Sequence, residues 1–296
     1  MMKRNVLVVM SLVMLTLIAI CAVWGSAAYA AGSSDVHAEA TDAPAFSYEQ
    51  HASVLDKYVN DQGMVNYAAL KKNRASLDSF VASLGALSAT TYESWDEQAK
   101  ISFWCNAYNA ITLKRIIDHY PIQKGSWLNA LRFPANSIRQ ISGVWDTLTT
   151  PVLGKDMTLD AIEHDVLRKR FQEPRIHMAL VCAAMGCPPL RNEVYLGDRL
   201  DEQLDDQSKR FMSNPKKFRI DREENTVYVS PIFDWFGEDF KAGYVPDSGF
   251  GKFGDTERAV LNFASQYVSA EARSYLASGD YSIEYLEYDW SLNQEK

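Results

Sequence analysis

Residues 175–190 read Arg-Ile-His-Met-Ala-Leu-Val-Cys-Ala-Ala-Met-Gly-Cys-Pro-Pro-Leu, which sets His177, Cys182 and Cys187 in one short stretch. The whole chain has only four cysteines and five histidines, so this is a local concentration. Imidazole and thiol together equip a site for nucleophilic or redox chemistry, because the thiolate is the reactive form and a neighbouring imidazole stabilises it. Three readings stay open. In one, Cys187 is a nucleophile and His177 its base. In another, Cys182 and Cys187 close a small disulfide in an oxidising compartment. The third, a metal site, is the weakest: a His-x4-Cys-x4-Cys run lacks the short spacing of zinc knuckles, and only Cys105 or Glu163 is at hand to complete it. No metal and no cofactor is expected.

Periodicity does not tell whether 176–181 is a buried strand or a buried helical turn. As a strand it would put His177 on the face opposite Cys182, leaving Cys187 as the partner of His177. Met185-Gly186 reads as a flexible turn and Pro188-Pro189 as a rigid exit, so Cys187 is expected on a fixed corner.

Other reactive groups fall on predicted helices. In Leu159-Asp-Ala-Ile-Glu-His-Asp-Val-Leu167, Leu159, Ile162, Val166 and Leu167 define the inner face at about 100° per residue. Glu163 lies inside that arc; His164, Asp160 and Arg168 lie outside it. An inward carboxylate is costly unless a cation or donors meet it. Arg175 and His177 are the nearest such groups, so one of them is expected to meet Glu163, as a structural pair or as the orienter of His177. Asn106 and Asn109 share a face of the helix around residues 95–119, beside Tyr108. Buried amides need partners, so they either fasten loops or line a pocket. Cys105 on the same helix reads as a core thiol, with a role as alternative nucleophile facing His177. Phe233, Phe236 and Phe240 read as core, with Asp234 and Asp239 on the wet side.

The elements that must hold these groups are mostly helical. Helices are expected over 48–59, 67–84, 95–119, 158–171, 200–212, 231–240, 255–267 and 271–277. Pieces 218–221 and 226–230 flank a polar turn and read as a hairpin, and 281–288 as a last strand. Residues 121–156, rich in Trp, Gly and Pro, read as irregular cover with extended pieces near 138–144. The sum is an α+β, helix-rich single domain over 47–296 with a small antiparallel sheet.

The N-terminus has the pattern of an export signal. Lys3 and Arg4 precede an apolar run over 6–23, and Ala28-Tyr29-Ala30 supplies the small residues of a cleavage site; an uncleaved anchor is the alternative. Residues 31–46 read as a disordered leader. Cleavage after Ala30 removes Lys3 and Arg4 and no acidic residue, taking the formal charge from −8 to −10. An acidic chain without a basic cluster speaks against nucleic acid and anionic membrane surfaces, and no second apolar run of membrane length follows. The P-loop, G-x-G-x-x-G, G-x-S-x-G and H-E-x-x-H patterns are absent.

Phe103-Trp-Cys-Asn-Ala-Tyr-Asn-Ala110, the Leu159–Arg168 segment, Arg175–Leu190, Val229-Ser-Pro-Ile-Phe-Asp-Trp-Phe236 and Tyr288-Asp-Trp-Ser-Leu-Asn293 together resemble the domain of unknown function 547 family, in order and spacing, across roughly 48–293. The resemblance implies an exported or periplasmic bacterial protein. It carries Asn106, Tyr108, Asn109, Glu163, His177, Cys187 and Pro188 onto the family's motifs. Met185-Gly186 stands where Lys-Ser or a similar pair is more familiar.

The expectation is then a periplasmic or secreted thiol-dependent hydrolase or transferase in a loose papain or transglutaminase mould, acting on a small thiol, amide or peptide-like substrate. In it Cys187 is the nucleophile, His177 the base, Glu163 the orienter and Asn106 a pocket donor. The rival is a non-catalytic module that binds a small ligand or a partner.

Overall fold

The structure is a computed structural model that describes residues 46–295. The expected signal peptide, and the leader up to residue 45, lie outside the described residues. Phe46, the last residue of that leader, sets its ring edge-on to Phe103 at 5.4 Å.

The first half is built from α1 (Glu49–Tyr58), α2 (Tyr67–Lys72), α3 (Ala75–Ala86), α4 (Ala89–Glu93) and α5 (Glu97–His119). Helix α5 starts where the Asp96 carboxylate accepts the Ala99 N–H at 2.7 Å, and it ends before Pro121, which has no N–H to continue it. Fifteen of its 23 residues are buried, on every face, among them the polar Asn106 and Asn109. Helix α1 packs on α3, and α3 on α5. Beyond α6 (Trp127–Arg132) the chain makes a 3₁₀ turn at Ile138–Gln140. It then forms a short antiparallel hairpin of β1 (Thr150–Val152) and β2 (Lys155–Met157). The expected irregular stretch therefore contains a paired hairpin, and the residues near 138–144 are not extended strands.

The segment expected as one α-helix over 158–171 opens as a π-helical turn at Ala161–Leu167, where the Arg168 N–H reaches back five residues to the Glu163 carbonyl. It closes as α7 (Arg168–Arg170). Next come α8 (Ile176–Ala179) and α9 (Leu200–Met212). Residues 176–179 are a helical turn and Leu180 is extended, so the strand reading of 176–181, and the opposite-faces argument built on it, does not hold.

The second half adds β3 (Phe218–Asp221), β4 (Thr226–Val229), α10 (Ile232–Phe236), α11 (Lys241–Tyr244), α12 (Asp255–Ser265), α13 (Ala270–Ser278) and β5 (Ser282–Tyr285). Strands β3 and β4 form the expected hairpin, pairing Phe218 with Val229 and Asp221 with Thr226. Strand β5 joins β4 in parallel, so this sheet is mixed rather than wholly antiparallel. The α+β class stands. Among the described residues no helix is long and apolar enough to cross a membrane.

Two apolar clusters result. One surrounds α5; the other gathers the three-stranded sheet, α10 and α12. The Tyr288 ring packs against both. After it the tail runs back over the cysteine loop: the Gly186 N–H donates to Asp289 O at 2.7 Å, Met185 N–H to Ser291 O at 2.8 Å, and Asn293 N–H to Ala183 O at 3.1 Å.

Candidate functional site

A cavity of about 560 Å³ opens between the clusters, with Cys182, Cys187, His177, Glu163, Tyr108 and Tyr288 among its walls. Its size is that of a small-molecule site.

Cys182 and Cys187 are joined as a disulfide. Cys182 is half-buried and Cys187 buried. Two donors address the sulfurs. The Cys182 backbone N–H points at Cys187 Sγ at 2.9 Å. The Tyr288 hydroxyl lies 3.1 Å from Cys187 Sγ and 3.2 Å from Cys182 Sγ, and since bridged sulfurs carry no hydrogen, the hydroxyl is the donor. The loop between them is held by the tail and by Ala183 at φ 60°. Lys217, buried and lowered by burial to about 8, donates to the Met185 carbonyl.

His177 makes no hydrogen bond to either sulfur. Its Nε2 lies 2.8 Å from Asp239 Oδ2, and its ring stacks on Phe236 with centroids 4.2 Å apart. Burial pushes its pKa down, against the pull of Asp239. Asp239 also receives two bonds from Arg168, at 2.5 and 2.8 Å. Burial works to raise the Asp239 carboxyl, but His177 and Arg168 outweigh it and hold it below the ordinary range. The imidazole is therefore neutral and donates its Nε2–H to a carboxylate fixed by Arg168. Asp239 is thus a buried-edge partner and not on the wet side. Arg168, expected outside the arc, faces inward because the π turn carries residue i+5 round to the side of residue i.

Glu163 is buried, as its place in the arc predicts, but neither Arg175 nor His177 meets it. Arg175 is engaged with Glu173 at 2.6 Å and Asp201 at 2.7 Å. The Glu163 carboxyl faces the Tyr108 hydroxyl instead. Burial raises its pKa from 4.5 to about 7, while Tyr108 and the Arg168 charge work the other way. The carboxyl is an acid poised near neutrality, and it does not orient His177. His164 is partly exposed beside Arg168, with 3.0 Å between Nδ1 and Nη1.

Asn106 and Asn109 are fasteners. Asn106 bonds both the N–H and the carbonyl of Tyr195, at 3.0 and 2.7 Å. Asn109 takes the Val181 N–H at 2.9 Å and gives to Ala179 O at 3.0 Å. Each amide grips backbone through both its oxygen and its nitrogen, and Asn106 is not on the cavity wall, so it is no pocket donor; Asn109 instead holds the backbone that leads into Cys182. Cys105 is fully buried in the core and its thiol is pushed far up by burial, which removes it as a nucleophile. The papain-like pairing of a free thiol with an imidazole is not formed.

Residue-by-residue reading did not single out Tyr288, Trp290, Arg139 or Asp239 as site residues. Tyr288-Asp-Trp290 was visible only as a motif near the C-terminus, and nothing local tied it to residues a hundred positions earlier. Residues 92–212, which include both asparagines, Glu163, His177 and both bridged cysteines, match the family model for a protein of unknown function, DUF547. No curated protein and no solved structure matches the chain.

Proposed function

We propose, for a chain whose residues 92–212 match the DUF547 family model, that the cavity is a thiol–disulfide exchange site for a low-molecular-weight thiol, working in an oxidising compartment reached by export. The observation that carries this reading is a disulfide on the cavity wall whose inner sulfur, Cys187, already accepts from the Cys182 N–H and the Tyr288 hydroxyl. Those two donors stand where negative charge would develop on a departing thiolate.

The step runs as follows. A substrate thiolate attacks Sγ of Cys182, the more exposed of the two residues. A new S–S bond forms there, the Cys182–Cys187 bond breaks, and its electron pair leaves on Cys187 Sγ, which then takes a proton. A second substrate thiolate attacks the substrate sulfur of this mixed disulfide and releases Cys182 as a thiolate. Two thiols are oxidised to one disulfide and the protein pair is reduced to a dithiol. Glu163, whose charge is felt at Tyr288, is the cavity acid able to give and retake a proton near neutral pH. Reactivity thus moves from Cys187, the expected nucleophile, to Cys182, with Cys187 as the leaving thiolate. His177 and Asp239 brace the wall.

The test is titration of the folded protein with dithiothreitol and with glutathione redox buffers, followed by mass spectrometry. The expected result is reversible loss of the bridge with the fold intact, and a Cys187→Ala variant that traps a mixed disulfide on Cys182. A bridge that opens only on denaturation sinks the proposal. That outcome would favour a second reading, a ligand-binding module with the disulfide as a clasp, which the backbone bonds from the tail to Ala183, Met185 and Gly186 also suit.

A further inference from the structure

At the cavity wall the Arg139 guanidinium sits among three aromatic rings. Its Cζ lies 4.8 Å from the Phe133 centroid, 5.2 Å from Trp145 and 4.7 Å from Trp290. Among the described residues the guanidinium forms neither a salt bridge nor a hydrogen bond, and its Nε is buried without a partner. Other arginines near the site are satisfied: Arg168 holds Asp239 and Arg175 holds Glu173. Ring faces attract a cation but accept no N–H in the plane of the guanidinium, so its donor fork stays free. This half-buried arginine, with only its Nε buried, keeps donors for an anion entering the cavity. A carboxylate suits it best, because two parallel N–H···O bonds match its geometry.

The position ties this cation to the sulfurs. Trp290, one of the three rings, packs on Tyr288 at 4.6 Å, and the Tyr288 hydroxyl touches both Cys182 and Cys187. Arg139 and the disulfide line the same cavity. Asp146 and Asp160 line it too, and they would repel a second anionic group.

We infer that Arg139 is the carboxylate-binding residue of this cavity, and that the thiol exchanged at Cys182 carries a single carboxylate. The inference deepens the exchange reading and rests on it for the thiol, but the carboxylate site can be tested without it.

Two measurements decide it, on the wild type and on Arg139→Gln and Arg139→Lys. In the first, the disulfide is reduced with mercaptoalkanoates of increasing length, with 2-mercaptoethanol and with cysteamine, and rates are compared per thiolate. One mercaptoalkanoate is expected to react about tenfold faster than the neutral thiol in the wild type. That preference disappears in Arg139→Gln and is partly kept in Arg139→Lys. In the second, tryptophan fluorescence follows binding of 4-phenylbutyrate and of 4-phenylbutanol, neither of which can exchange. The acid is expected to bind about tenfold more weakly to Arg139→Gln than to the wild type, and the alcohol equally to both. If every thiol reacts alike and the acid binds no better than the alcohol, the Arg139 assignment is wrong and exchange survives. If no thiol opens the bridge while the acid still depends on Arg139, the exchange reading fails and the carboxylate site stands.

Discussion

A Cβ built on Gly186 would lie 2.6 Å from Cε1 of Tyr288, closer than real side chains approach one another. Gly186 is therefore present for close approach and not for turn flexibility, since its φ is not in the left-handed region. The Tyr288 ring cannot retreat cheaply, because Trp235 and Trp290 back it at 4.8 and 4.6 Å. Gly186→Ala should cost about 1–3 kcal/mol in urea unfolding, the usual penalty of overpacking. It should also pull the Tyr288 hydroxyl off the sulfurs and slow reduction of the bridge. An unchanged midpoint and unchanged reduction rate would show that the ring moves freely.

Glu163 supplies a pH signature. It binds its proton more tightly in the folded chain, at about 7, than its ordinary value of 4.5. Its contribution to stability is complete below about pH 4.5 and is lost as the pH rises through 7, a difference of roughly 3 kcal/mol for a fully buried acid. Glu163→Gln has no charge to bury. Its stability relative to the wild type should therefore rise between pH 5 and pH 9, in denaturant titrations at each pH. A difference that stays flat over that range would mean that the carboxyl ionises as freely as in water.

What could be read from the chain was whatever is local. Helix α5 was legible as one long helical segment that Tyr120-Pro121 closes. Glu163 was placed inward correctly, since the arc of Leu159, Ile162 and Val166 needs only neighbouring residues. The partners were not legible. Arg168 was placed outside by assuming a regular α-helix, and one π turn reverses that. His177 meets Asp239 across 62 positions, and Cys187 meets Tyr288 across 101. No periodicity reports such contacts, because loop packing and the returning tail decide them. Asn106 and Asn109 showed the reverse difficulty: their types and shared face were clear, yet only the loops they grip reveal that they are fasteners.

The Arg168–Asp239–His177 chain should act as a unit. Asp239→Asn would leave Arg168 without its counter-ion and could present its amide N–H to a nitrogen that is itself a donor. A loss of about 2 kcal/mol is expected, less than for a fully buried pair because Asp239 keeps some exposure. Asp234, exposed and five residues earlier, is the control, and Asp234→Asn should change stability by no more than about 0.5 kcal/mol. Both His177 and Asp239 are held below their ordinary values, so the stability they contribute is present at neutral pH and fades on acidification. Asp239→Asn should therefore flatten the acid limb of the stability profile. Equal losses in the two variants would remove the network.

The three cysteines of the described domain should separate cleanly by alkylation. Cys105 is fully buried and its thiol is pushed up by burial, with the Glu173 charge adding to it. Cys182 and Cys187 are bridged. The native oxidised domain should thus take up no iodoacetamide. After mild reduction Cys182, the more exposed residue of the pair, should label first and Cys187 later, with Cys105 slower than Cys182 by about a hundredfold until the fold is denatured. Prompt labelling of Cys105 in the native protein would place a reactive thiol in the core and return it as a candidate nucleophile. Labelling of Cys187 ahead of Cys182 would reverse their roles in exchange.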